Sequence, residues 1–335
     1  MQLHALAPVR VNTMTQKGKK KTDEEFFDER LSSILEWGKN LKQINPECTD
    51  EYNDHSILKL ICINYWLGIF LPICDKQLRQ KFHYKIAYID TMAGCGVTSS
   101  KRENDCFCGS CPGAIISSQL LEIPFDLVVG VELDANKATI LESRLKTIIK
   151  PEKIQVINND INAVSSEIAN FLQNNRTVSY MVIDPQALQG MTWGALKPLL
   201  SCKGDAMVTW FESEAWRVRS AALSESNHAA AQSEILRLNE LLGEGWQQAR
   251  TQEELTQIFV NRVLLECGKK AFAKAYVPRQ PAGYYWMILF AGDFGNAQKL
   301  ATAWEQNVNK RIQSSHGQGI SSLLDVKSGR QSSLF

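Results

Sequence analysis

A chain of 335 residues makes one large domain with extensions, or two modest ones, and can bury a full core. Its 44% hydrophobic and 22% charged fractions are ordinary for a globular protein. A net charge of +1 excludes an overall field favouring nucleic acid and leaves room only for a local basic patch.

Residues 1–22 lack apolar periodicity and read as a disordered tail around the basic run Lys17–Lys21. Residues 23–80 read as a helical segment. From Asp23 to Asn40, Phe26, Phe27, Leu31, Ile34 and Leu35 fall on one helical face, and Asn45-Pro46 ends it. Asp54 can cap a second helix carrying His55, Leu58, Lys59, Cys62, Tyr65 and Trp66, with His55 and Lys59 on one face. The apolar run Ile57–Cys74 is interrupted by Lys59, Asn64 and Pro72, so a buried helix is expected and no membrane span.

The stretch Ile86–Gly96 organises the rest of the chain. A mostly apolar strand runs into Asp90 and then a turn with Gly94 and Gly96, the usual opening of a ligand crevice in a doubly wound fold. A long loop from Val97 to Cys111 leads to a helix with Pro112 in its first turn. Strands then alternate with helices: Asp126–Val131 ending at Glu132, a helix capped by Asp134 to about Lys150, Lys153–Asn158, a helix after Asp160, Thr177–Ile183, a helix over Thr192–Ser201, and Asp205–Phe211. Such alternation predicts an α/β fold with a mainly parallel sheet and right-handed crossovers. Two helices are expected in an insertion over 213–268. Ala271–Val277 and Tyr284–Phe290 pair as a closing antiparallel hairpin, as in the methyltransferase version of the Rossmann-like fold. The sheet domain is expected over 81–312, with a flexible tail over 313–335.

Asp90, Glu132, Asp160 and Asp184 each stand at or just past the carboxyl end of a predicted strand, where such sheets bind ligands. Four acids on one edge repel unless they hold hydroxyls, amines or a cation. S-adenosylmethionine supplies all three. Glu132 suits a ribose diol and Asp160 an adenine amino group. Asp90 with the Ala93–Gly96 backbone suits the methionine end. A dinucleotide is the rival, but its turn needs the helix to start at once, whereas here a loop of about fifteen residues intervenes. Asp184-Pro185-Gln186 is placed to position an acceptor amine, with Asp184 and Pro185 in the catalytic role. Ala187 stands where an aromatic would stack, and Trp193 can substitute or simply pack. Arg217 and Arg219 can bind phosphate at the rim or decorate a helix start.

Cys48, Cys62, Cys74, Cys202 and Cys267 read as ordinary buried thiols. Cys95, Cys106, Cys108 and Cys111 can be a tetrahedral metal cluster or plain thiols, and no resident metal is expected. An odd cysteine count and no secretory signal point to the cytoplasm.

The chain resembles the three-Cys-motif partner proteins. The resemblance is carried by His55-x-x-x-Lys59 with Tyr65-Trp66-Leu67, Tyr88-Ile89-Asp90 with Ala93-Gly94-Cys95-Gly96, Gly109-Ser110 with Pro112, Ile183-Asp184-Pro185, and Tyr284-Tyr285 with Phe290 and Gly292. It spans roughly residues 50–310 and departs from the family's pattern at Met92, Cys95, Cys111 and Gln186-Ala187. It implies a Rossmann-like methyltransferase fold, a radical-enzyme-like partner, and His55 and Lys59 facing the site; together with Gln186, Trp193 and Arg217, read from the sequence itself, these are the candidate acceptor-binding residues. The last residues, with Gln331, Leu334 and Phe335, resemble a sliding-clamp docking peptide. The expected function is methyl transfer to an amine of nucleic acid (DNA or RNA) or of a modified base. The alternative is a non-catalytic adaptor subunit.

Overall fold

The computed structural model describes residues 23–51, 54–99, 106–190, 192–224, 229–278, 283–294 and 296–316. The basic run Lys17–Lys21, the tail with Gln331, Leu334 and Phe335, and the side chain of His55 lie outside what it describes.

In chain order the elements are α1 (Asp23–Lys42), β1 (Asp50–Glu51), α2 (Asp54–Cys74), a π-helical turn (Asp75–Arg79), α3 (Gln80–Phe82), β2 (Lys85–Asp90), β3 (Val97–Ser99), β4 (Cys106–Cys108) and α4 (Ser110–Leu120). Then come β5 (Leu127–Glu132), α5 (Ala135–Leu145), β6 (Ile154–Asn158), α6 (Ile161–Asn174), β7 (Thr177–Ile183), α7 (Trp193–Leu200) and β8 (Gly204–Trp210). The chain continues through α8 (Glu212–Ser224), α9 (Ala229–Leu242), α10 (Gln252–Cys267), β9 (Ala271–Pro278), β10 (Tyr284–Ala291) and α11 (Ala297–His316).

Seven strands form one sheet in the order β6-β5-β2-β7-β8-β10-β9. The first five are parallel, and β10 runs antiparallel between β8 and β9. Numbered by appearance within this sheet, the order is 3-2-1-4-5-7-6, the Rossmann-like methyltransferase arrangement. The order reverses between β2 and β7, so the crevice opens above Asp90 and Asp184.

Both faces are covered. The helices α1, α2, α4, α5 and α11 pack one face, and α6 to α10 pack the other. Double coverage explains why β7, TVSYMVI, is buried at every position: a central parallel strand needs no polar side. The α2 segment is long and apolar enough to cross a bilayer, but its apolar residues pack in the core, with Trp304 of α11 donating to the Cys62 carbonyl at 3.1 Å. At the sheet's edge, Asn309 of α11 satisfies β9 by accepting from the Tyr276 amide at 3.0 Å and donating to the Lys274 carbonyl at 3.4 Å.

Four expectations need correction. The expected loop from Val97 to Cys111 contains β3 and β4, which join β1 in a small sheet, order β1-β3-β4. It packs so closely under α1 that a Cβ on Gly38 would sit 2.2 Å from the Phe107 Cα. Residues 213–268 hold three helices rather than the expected two: α8, which starts two residues after β8 ends, comes before α9 and α10. The helix capped by Asp134 stops at Leu145 rather than near Lys150, because residues 146–150 turn into Pro151. Finally, α11 was not foreseen from the pattern; its apolar residues Ala301, Trp304, Val308 and Ile312 form one stripe.

Candidate functional site

The glycine turn after β2 is the centre of the site. Gly94 has φ +60° and Gly96 φ +83°, a region that L side chains rarely adopt. Space forbids a side chain as well: a Cβ on Gly94 would lie 2.2 Å from an Asp50 oxygen. Two amides of this turn are claimed by carboxylates. Gly94 N donates to Glu132 Oε2 at 2.9 Å, and Cys95 N donates to Asp50 Oδ2 at 2.9 Å. Asp50 comes from β1 and is held from the other side by Lys137 Nζ at 2.8 Å. Glu132 also accepts from Asp134 N at 2.9 Å.

Asp90 ends β2 fully buried. Ser110 Oγ donates to it, and Met92 N donates at 3.3 Å. Burial pushes its carboxyl up to about 7, and the charges of Asp184 and Glu132 push the same way against these two hydrogen bonds. A neighbouring cation would relieve that strain on the charged form.

Asp184 follows β7 across the switch point. Lys59 Nζ from α2 reaches both its oxygens at 2.6 and 2.9 Å, and Thr209 Oγ1 donates to Oδ1 at 2.6 Å. The Lys59 ammonium also sits 4.8 Å from the Tyr285 ring centroid. The helix preceding the sheet therefore brings a side chain to Asp184. His55 lies one helical turn before Lys59. Pro185 is buried, and Gln186 is exposed beside it.

Other expected residues fall elsewhere. Asp160 is exposed and caps α6 through Oδ1, which accepts from Asn162 N at 2.8 Å and Asn162 Nδ2 at 2.9 Å. Ala93 is buried and packs under the turn, its amide donating to Val131 O at 2.9 Å. Trp193 is 6% exposed, donates to Glu266 at 3.2 Å and lies under the Arg262 guanidinium, so it is a packing residue and offers no face to a base. Arg219 stacks on Trp216 and donates to the Trp246 and Gln247 carbonyls, whereas Arg217 stays exposed on α8. Cys95, Cys106, Cys108 and Cys111 are all buried. Among the described residues, no group of three or more histidine, cysteine or acidic side chains comes together to hold a metal.

Three contributors are not legible in the sequence. Asp50 lies on a two-residue strand with no periodic signal. Leu133 directly follows Glu132 and is 71% exposed, a bare apolar side chain beside the acid. Arg144 supports the whole turn: it is fully buried and donates to the carbonyls of Leu41, Asn45, Cys48 and Cys95 at 2.8–3.1 Å.

No protein-family model matches this chain, and no curated protein resembles it in sequence. Solved structures of related shape include a protein from Legionella pneumophila, 14% identical over 72% of this chain and 85% of that one, with a TM-score of 0.42. A candidate S-adenosyl-L-methionine-dependent methyltransferase from Methanococcus maripaludis is 12% identical over 82% and 98%, TM-score 0.29. An rRNA methylase from Streptococcus thermophilus is 9% identical over 82% and 100%, TM-score 0.31. At such identities the likeness concerns the fold alone.

Proposed function

We propose that this chain is an S-adenosylmethionine-dependent methyltransferase acting on an amine of nucleic acid or of a modified base, together with a partner protein. The observation that carries the reading is the meeting of Asp90, Glu132 and Asp184 at the switch point, with carboxylates already on the glycine-turn amides. A dinucleotide pyrophosphate needs those amides and repels those acids. A ligand bearing hydroxyls and positive charge suits them.

When bound, S-adenosylmethionine supplies an electrophilic methyl group on a sulfonium. Glu132 would accept from the ribose diol, and Leu133 would give the adjacent ring an apolar flank. Asp90 would face the methionine ammonium. Asp184 Oδ2, bonded only to Lys59, keeps acceptor capacity for an N–H of the incoming amine. Lys59 and Thr209 fix its orientation, and alignment of this kind is a large part of what methyl transfer requires.

Calorimetry with S-adenosylmethionine tests the cofactor role. Glu132→Ala should weaken binding by about 10- to 100-fold, the worth of one or two charge-assisted hydrogen bonds. Glu132→Gln, which can keep the bond from Gly94, should lose less. Equal affinity for all three proteins removes the ribose assignment. A tritium-methyl transfer screen over DNA, RNA and protein pools tests the reaction. One observation favours a second reading as a non-catalytic adaptor: Lys59 spans both Asp184 oxygens and Thr209 also occupies Oδ1, so only Oδ2 has an acceptor position to spare. Cofactor binding with no transfer to any pool, partner added, would establish that reading instead.

A further inference from the structure

The opposite edge of the sheet carries a row of cations that the methyl-transfer reading does not use. Lys85 begins β2, Arg176 precedes β7 and Lys203 precedes β8, three neighbouring strands. Their backbones are tied together, with Lys85 N donating to Arg176 O at 3.1 Å and Ser179 N to Lys203 O at 3.0 Å. Lys81 extends the row from α3 and meets only the Gln77 amide oxygen, at 2.9 Å. All four are exposed. Among the described residues no carboxylate pairs with any of them. Of the acids in neighbouring segments, Asp75 and Asp126 are both taken by Arg79, at 3.1 and 2.9 Å, and Asp205, two residues after Lys203, is buried and accepts from Gly292 N and Trp66 Nε1.

Aromatic rings lie among these charges. The Arg176 guanidinium and the Lys203 ammonium sit 5.2 and 4.7 Å from the centroid of one ring, Tyr84. Tyr84 thus gathers two positive charges on one part of the surface, where an anion would meet both fields. Phe82 is 54% exposed next to Tyr84, and Arg176 donates to its carbonyl at 3.1 Å. Of the three non-glycine residues described with positive φ, two are here: His83 at 56° and Arg176 at 48°. Both make the tight turns that present Phe82 and the guanidinium outward.

We infer that this amino-edge patch binds single-stranded nucleic acid, its phosphates on Lys81, Lys85, Arg176 and Lys203 and a base on Phe82. Cations set among exposed rings are how sequence-tolerant single-strand binders work. The row from Lys85 to Lys203 spans two strand spacings, about 10 Å. This surface is separate from the acidic crevice and does not depend on the methyl-donor assignment. It would hold a flanking part of a long strand whose target lies elsewhere.

Fluorescence anisotropy of the full chain with a labelled 12-nucleotide single-stranded RNA, across a salt series, tests the inference. Four phosphate contacts predict a log–log salt slope of about −3, at roughly −0.7 per contact. The double variant Lys85→Gln with Lys203→Gln should flatten the slope by about 1.4. Phe82→Ala should weaken binding roughly tenfold with the slope unchanged, since stacking carries no counterion. Retained S-adenosylmethionine affinity in these variants shows that they are folded and that the two sites are independent. The inference is overturned if the variants bind RNA like the parent. It is equally overturned if the chain prefers anionic phosphatidylglycerol vesicles to the oligonucleotide. RNA binding that survives while the parent chain fails to bind the methyl donor would sink the catalytic reading and leave this one standing.

Discussion

The two ends of the parallel sheet carry opposite charge and are built differently. The carboxyl edge gathers Asp90, Glu132 and Asp184 under a small sheet and a glycine turn; the amino edge presents Lys85, Arg176 and Lys203 in a row. Each end also buries an aspartate. Asp205, the second residue of β8, is almost fully buried and rises to about 6, chiefly through burial. Its partners oppose that rise: Gly292 N donates at 2.8 Å, Trp66 Nε1 at 2.9 Å, and the buried Lys269 ammonium lies near. Around Asp90 the neighbouring charges are acids and add to the rise. Burial is common to both aspartates, so burial does not mark the site. Whether the surroundings satisfy the charge or aggravate it does.

The largest expected effect separates how the two ends are held. The carboxyl edge depends on one side chain, since Arg144 satisfies four carbonyls of the turn and of the Leu41–Cys48 segment. Arg144→Met should cost about 3–5 kcal/mol, because buried carbonyls are left without donors. At the amino edge, where backbone ladders do the holding, Lys203→Met should change stability by less than about 0.5 kcal/mol. Urea denaturation of the two variants checks this, and similar midpoints would erase the contrast.

The aspartates themselves give the next effect. Both have folded values above the ordinary 3.8, so the native state binds more protons than the unfolded chain between that value and about 7 for Asp90, or about 6 for Asp205. Each therefore lowers stability as pH rises through its window, and the loss is complete above it. Substitution should split them. Asp90→Asn can keep both bonds, since its amide donates to Ser110 and its oxygen accepts from Met92. It should stabilise the protein by about 1–2 kcal/mol at pH 8 and by almost nothing at pH 5. Asp205→Asn turns an N–H toward one of two donors and strips Lys269 of its counter-charge. It should destabilise by about 1–3 kcal/mol at pH 8. Melting curves at the two pH values would merge the two aspartates into one class if both variants moved the same way.

The sequence made the sheet legible because its strands are short apolar runs ending in acids. Thr177–Ile183 was bounded to the residue, and the closing hairpin was visible in two alternating segments. Elements that stay short or take their partners from afar were not legible. Three-residue strands such as Val97–Ser99 and Cys106–Cys108 are below any period, and Asp50 reaches the glycine turn only because β1 pairs with β3. The Lys59–Asp184 bond joins positions 125 residues apart, and its placement was suggested by resemblance, not by helical spacing. Trp193 shows the converse error. An aromatic close in sequence to Asp184-Pro185 looked available for stacking, but the first turn of α7 faces the core.

The smallest expected effect concerns pH and the methyl donor, and it bears most directly on whether the acidic end is a site. If the ligand's positive end is held by ionised Asp90, affinity must follow the ionised fraction of that carboxyl. With a value of about 7, affinity should rise about fivefold from pH 6 to 7 and about twofold from pH 7 to 8. Two neighbours of Asp90 give no competing titration there: burial pushes the Tyr88 hydroxyl and the Cys111 thiol well above their ordinary values. Asp90→Asn should bind more weakly at pH 8 and lose most of the pH dependence. Calorimetry at three pH values in buffers of different ionisation enthalpy would also register the proton released as the ligand binds below pH 7. A flat profile in the parent chain, or a slope that survives in Asp90→Asn, would mean that this carboxyl does not meet the cation, and the acidic end would lose its strongest claim to be a binding site.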